Sequence, residues 1–142
     1  KNRTMEKIYF SGNQIGSVAM KNFAELLKNN STLSFISLSE CFIDDEGCKY
    51  IEEGLLNNST LKSLDLSYNM IQMEGFKSIV VAVLGNFSLL QLEWIENPFQ
   101  QLEETLVFIV QLSDTIIAQY SHDEYVQFGH QRGFYLRRLV GS

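Results

Sequence analysis

No apolar stretch in this sequence approaches the roughly 18–20 residues that a membrane span requires. The longest candidate, Leu102 to Leu112, is interrupted by Glu103, Glu104 and Gln111. The start, Lys1-Asn2-Arg3-Thr4, has no signal-peptide apolar region. Cysteine is nearly absent, with Cys41 and Cys48 alone. That number excludes a disulfide scaffold and makes a reducing, cytoplasmic location the expectation. Lysine and arginine are outnumbered by acids, 11 against 17, for a net charge of −6. A general nucleic-acid surface needs clustered cations, and the single basic cluster is Arg132, Arg137 and Arg138. Glycine-rich phosphate loops, G-x-S-x-G and paired Cys/His arrangements are also missing. What remains is a chain 45% hydrophobic over 142 residues, too apolar for disorder and long enough for one buried core.

The apolar residues are organised by a repeat. Met5, Leu33, Leu61 and Leu89 each follow the last by 28 residues, and from each the same pattern runs forward. The third copy is the clearest: Leu61, Leu64, Leu66, Asn69 and Ile71. The first has Met5, Ile8, Phe10, Asn13 and Ile15; the second Leu33, Ile36, Leu38, Cys41 and Ile43; the fourth Leu89, Leu92, Trp94, Asn97 and Phe99. This is L-x-x-L-x-L-x-x-(N/C)-x-L, four times in register. The alternation at Leu64 and Leu66 marks a strand with one buried face. The Asn or Cys lies where the chain turns away and can satisfy backbone groups there.

Between strands, Ala19, Phe23, Leu26 and Leu27 have the spacing of an apolar helix stripe. Its equivalents are Gly47, Ile51, Gly54 and Leu55, then Gly75, Ile79, Ala82 and Val83. The small residues Ala19, Gly47 and Gly75 are expected to let helix and sheet approach closely. Asn29-Asn30-Ser31-Thr32, Asn57-Asn58-Ser59-Thr60 and the divergent Gly85-Asn86-Phe87-Ser88 are read as helix exits, tolerant of a left-handed backbone. A strand returning through a helix predicts a parallel α/β architecture.

The pattern resembles the ribonuclease-inhibitor-like class of leucine-rich repeats, over about residues 4 to 112. That resemblance implies a solenoid with a curved parallel sheet on its concave face and helices on the convex one. Residues 1–112 then hold about four repeats. Residues 113–142 form a C-terminal cap or tail, rich in Ile116, Ile117, Tyr120, Phe128 and Phe134, with Ser121-His122-Asp123-Glu124 reading as a helix-capping box. In the fourth copy a helix is expected over about Gln101 to Gln111. Solenoid ends need capping repeats, and a first copy at Met5 without one suggests the C-terminal part of a longer array.

Binding residues are sought between the strand leucines, on the exposed side: Tyr9, Phe35, Ser37, Glu40, Asp65, Tyr68, Gln91, Glu93 and Glu96, with Lys7, Gly12 and Ser63 in the same rows. Aromatics beside acids on strands about 4.8 Å apart make the chemistry of a protein-binding surface. The expected partner is another protein with a basic surface, with no cofactor, no metal and no catalytic residue. His122, Asp123, Glu124 and His130 match no strong ligand spacing. Two further functions are open to the class. One is regulation of a GTPase, for which the Ran-activator branch supplies a loop arginine. Here Gln14 to Gly16, Asp44 to Glu46 and Gln72 to Glu74 carry none, and Arg3 is the only arginine before Arg132. The other is an innate-immune or effector sensor. Six N-x-(S/T) sequons begin at Asn2, Asn29, Asn30, Asn57, Asn58 and Asn86; four come from one repeated loop, and they are glycosylation sites only in a secreted chain.

Overall fold

The computed structural model describes residues 4–101, and strands and helices alternate along them. The strands are β1 (Lys7–Tyr9), β2 (Phe35–Ser37), β3 (Ser63–Asp65) and β4 (Gln91–Glu93). The helices between them are α1 (Met20–Asn29), α2 (Asp45–Leu56) and α3 (Met73–Gly85). A 3₁₀ turn, Ser17–Ala19, leads into α1, and another, Pro98–Gln101, follows β4. The four strands form one parallel sheet in sequence order. Lys7 pairs with Phe35, Phe35 with Ser63 and Ser63 with Gln91, so each strand meets its neighbour one repeat on. This is the predicted α/β leucine-rich repeat architecture. The expected helix at 101–111, the cap at 113–142 and both histidines lie outside the described residues.

The core lies between sheet and helices. Ile36 and Leu64, at the centres of β2 and β3, are fully buried, as are Leu38, Leu66, Ile43, Ile51, Leu55 and Leu61. Each such aliphatic side chain contributes about 1.5–3 kcal/mol relative to exposure. The fourth repeat fills the same space with rings: Phe76 of α3 stacks on Phe99 at 4.5 Å, and Trp94 meets both edge-on.

Polar devices with the period of the repeat hold each copy to the next. The Asn69 carboxamide accepts from Cys41 N and Ile43 N and donates to Leu38 O and Leu66 O. Asn97 repeats this one step on, accepting from Ile71 N and donating to Leu66 O and Trp94 O. On the opposite margin, Asn58 donates to Leu27 O and Asn30 O while accepting from Thr60 N and Leu61 N. Asn86 does the same with Leu55 O, Asn58 O, Ser88 N and Leu89 N. These asparagines are therefore not left-handed exits: Asn30 and Asn86 are extended at φ −106° and −99°. Their amides bridge repeats, a task for which backbone conformation is secondary.

A further device joins the helix starts. Asp44 N donates to Ser17 Oγ, and Gln72 N donates to Asp45 Oδ1 at 2.7 Å. Against these contacts lie Gly47 and Gly75. A β-carbon on Gly75 would stand 2.5 Å from Asp45 Oδ1 and 2.9 Å from its Cα, and one on Gly47 would stand 2.7 Å from Ser17 Oγ. The small residues thus make room for the first helical residue of the preceding repeat as well as for the isoleucine before their own helix, rather than only for the sheet.

Candidate functional site

The residues chosen between the strand leucines fall on the face of the sheet turned away from the helices. Tyr9 is exposed, and its ring stands 5.0 Å from that of Phe35, tilted by 40°. Asp65 and Glu93 are register partners on β3 and β4. Gln91 Nε2 donates to Glu93 Oε1 at 2.7 Å, while Asp65 accepts from Ser37 Oγ and from Ser67 N. Glu40, Tyr68 and Glu96 follow the strands and are exposed. Ser37 behaves differently from the expectation. It is only 4% exposed, with its hydroxyl held between Ser11 Oγ at 2.6 Å and Asp65 Oδ2 at 3.0 Å. It orients Asp65 and offers little surface of its own, because neighbours from both adjacent repeats cover it.

A backbone feature recurs just past each strand. Gly12, Glu40, Tyr68 and Glu96 all have positive φ, between 55° and 76°. Only the first is glycine, the residue for which this conformation is free of a steric penalty. Two of the others are held there by the next repeat: Glu40 N donates to Ser67 O and Tyr68 N to Ile95 O. A left-handed non-glycine residue costs on the order of 1–3 kcal/mol, so the turn is imposed by the stacking.

Charge on this face is one-sided. Asp65, Glu93, Glu40 and Glu96 belong to its later strands, whereas Lys7 belongs to β1. The ion pairs found among the described residues are on helices: Lys28 with Glu25 and Glu53, and Lys77 with Glu74. Among the described residues, no lysine or arginine forms an ion pair with the acids beside β3 and β4. Like charges on adjacent strands repel.

Sequence reasoning missed a row of apolar side chains at the edge of this face. Phe42, Met70 and Ile95 are 51–53% exposed, beside Tyr68 at 51%. Backbone bonds tie the row together, with Met70 N donating to Ile43 O and Tyr68 N to Ile95 O, both at 2.8 Å. Phe42 and Met70 share a place in the repeat, but Gln14 and Pro98 hold that place in the outer copies, which hides the periodicity. An apolar residue in a polar turn was the available signal.

The remaining candidate chemistry is structural. The post-strand loops hold caps: Asp44 accepts from Glu46 N and Gly47 N at the start of α2. The Ser17 hydroxyl and those amides hold its carboxyl below the usual range. Burial raises the thiol of Cys41, which donates to Phe10 O and Ser39 O, and pushes that of Cys48 well above the ordinary cysteine value. Both are free and buried, so neither is a nucleophile at neutral pH. No group of three or more His, Cys, Asp or Glu among the described residues is placed to hold a metal ion. No described helix is long and apolar enough to cross a membrane. Of the sequon asparagines, Asn58 and Asn86 are buried with their amides bonded to carbonyls of the preceding repeat, while Asn29 and Asn57 are exposed. Glycosylation at either buried position is incompatible with the stack.

The Leucine Rich repeat family matches residues 1–24, 29–51 and 57–80, together half of the chain. No curated protein sequence matches. Among solved structures, 33 chains match. One is leiomodin-1 actin-binding site 2, at 26% identity with a TM-score of 0.63. The similarity covers 68% of this chain and 56% of that one, so the chain spans little more than half the length of this structural relative.

Proposed function

The chain belongs to the leucine-rich repeat family, and from that membership we propose that it is a non-catalytic protein-interaction module. The face carrying Tyr9, Phe35, Asp65, Tyr68 and Glu93 is its partner-binding surface. The observation that carries this reading is the pairing of Tyr9 with Phe35 on adjacent strands, in the same sheet face as the register pair Asp65 and Glu93. Aromatic side chains on rigid strands supply contact area at little entropic cost, and such residues are enriched among interface hot spots. One similar solved structure is leiomodin-1 actin-binding site 2, which makes actin the first protein to test. A cytoplasmic location is part of the proposal, consistent with two cysteines kept as free buried thiols.

The test is a pull-down with residues 1–142, run beside the Tyr9→Ala/Phe35→Ala variant and followed by direct titration of the captured protein, with purified actin titrated in parallel. A partner whose affinity falls about tenfold or more in the variant, a loss of about 1.4 kcal/mol, supports the reading. Equal affinity for both proteins removes the strand face from consideration.

A further inference from the structure

We propose that the row Phe42, Tyr68, Met70 and Ile95, with Glu93 and Glu96 beside it, is a docking surface for a basic amphipathic segment of the partner protein. This rests on the interaction-module reading and names both the chemistry of the partner and the part of the face that takes it.

The apolar half of the argument is exposure without dispersion. Single exposed apolar side chains are ordinary, but here four, each about half exposed, belong to three consecutive repeats joined by direct backbone bonds. Glu40 N donates to Ser67 O, Tyr68 N to Ile95 O and Met70 N to Ile43 O, so the row follows the rim where strands turn into helices. Tyr68 adds a phenol able to accept a cation over its ring or donate from its oxygen.

The polar half is charge complementarity. Asp65 and Glu93 stand in register on neighbouring strands, about 4.8 Å apart by sheet geometry. Glu96 follows three residues after Glu93, next to Ile95 in the chain, and is exposed. Asp65 has its hydrogen bonds from Ser37 and Ser67, and Glu93 has one from Gln91, all neutral donors. Lysine or arginine from a partner would relieve the repulsion between these carboxylates, and apolar residues of the same segment would cover the rim. An acidic segment would add to the repulsion, and a purely basic one would leave the rim exposed. A segment with cations along one side and apolar residues along the other satisfies both.

The test uses three labelled 18-residue peptides: leucine and lysine in amphipathic helical order, the same with glutamate for lysine, and lysine with serine. Anisotropy titrations use residues 1–142 and two variants, Phe42→Gln/Met70→Gln and Glu93→Gln/Glu96→Gln. Val81→Gln, on the exposed side of α3, serves as a control. The leucine–lysine peptide is expected to bind, with the other two at least tenfold weaker. The rim variant should lose about tenfold, which is about 1.4 kcal/mol. The carboxamide variant should lose several-fold along with most of the salt dependence, while Val81→Gln binds as the parent does. Unchanged melting curves would confirm folding, since Phe42, Met70, Val81 and Glu96 are exposed and Glu93 is half-buried. No binding, equal binding of the acidic peptide, or indifference to both variants overturns the proposal. A natural partner lost with Tyr9→Ala/Phe35→Ala but retained with the rim variant keeps the interaction-module reading and rejects the rim. Loss with neither rejects both.

Discussion

The first repeat and the third carry the same pattern, yet their equivalent residues live in different surroundings. Leu64 and Leu66 are fully buried, and Ile71 is 1% exposed. Ile8, Phe10 and Ile15, at the corresponding places, are only half-buried, and Met5 is exposed where Leu61 is not. Asn69 spends its amide on both its own repeat and the one before. Asn13 donates only within its own turn, to Phe10 O and Ser11 O, and is exposed. The difference teaches that a repeat of this kind does not own its core. Equivalent apolar side chains are buried or half-exposed according to whether another repeat lies against them, so stability belongs to the junctions.

The sharpest challenge to that comparison is a charge. Leu64→Asp places a carboxylate in a dry site and is expected to unfold the stack, costing more than about 4 kcal/mol. Ile8→Asp should cost less than half as much in urea denaturation followed by circular dichroism. Equal losses would mean that the first repeat is as closed as the third. Removing the bridging amide comes next. Asn69→Ala orphans the inward N–H groups of Cys41 and Ile43 and the Leu38 carbonyl, for about 2–4 kcal/mol, against less than about 1 kcal/mol for Asn13→Ala. Gly75→Ala forces a methyl against the Cα of Asp45, for about 1–3 kcal/mol. The first repeat already has alanine at this place, and Ala19→Gly should change the melting temperature little.

The smallest effect is acid-dependent. Asp44 titrates below its ordinary value in the folded chain, chiefly because the Ser17 hydroxyl bonds its carboxylate, with the amides of Gly47 and Glu46 adding to this. Its contribution is therefore present above the unfolded value of about 3.9 and disappears as pH falls through the lower, folded one. Asp44→Ala should cost about 1 kcal/mol at pH 7 and flatten the acid limb of the stability profile. An unchanged limb would assign acid sensitivity elsewhere.

Much of the junction chemistry was legible in the sequence because it repeats by residue type. The leucine ladder, the 28-residue period and the place of Asn69 and Asn97 all follow from spacing. Where the type changes between copies, the signal fades. Ser17 and Asp45 perform one task, accepting an N–H from the next repeat, but a hydroxyl and a carboxylate do not look alike in a pattern. Asn30, Asn58 and Asn86 do recur, and a helix end explains them locally; the bridging partners of Asn58 and Asn86 are 28 and 31 residues away. Alternation decides sides, so the rows between the strand leucines follow from spacing. The burial of Ser37 was not legible, because it depends on Ser11 and Asp65 in different repeats. Phe42, Met70 and Ile95 escaped because turns carry no alternation against which an apolar residue stands out.

The bridging amides also constrain how this molecule can change in length. Every partner they find is specified by distance along the chain, so an insertion or deletion that is not a whole unit puts each later amide opposite the wrong carbonyl. Excising residues 33–60 would instead bring Asn69 to Phe10 O, where Leu38 O had been, and Asn86 to Leu27 O in place of Leu55 O. The stack is quantised: it tolerates losing or gaining one copy better than losing a single residue within a strand, and tandem duplication is the editing step to which it is best adapted.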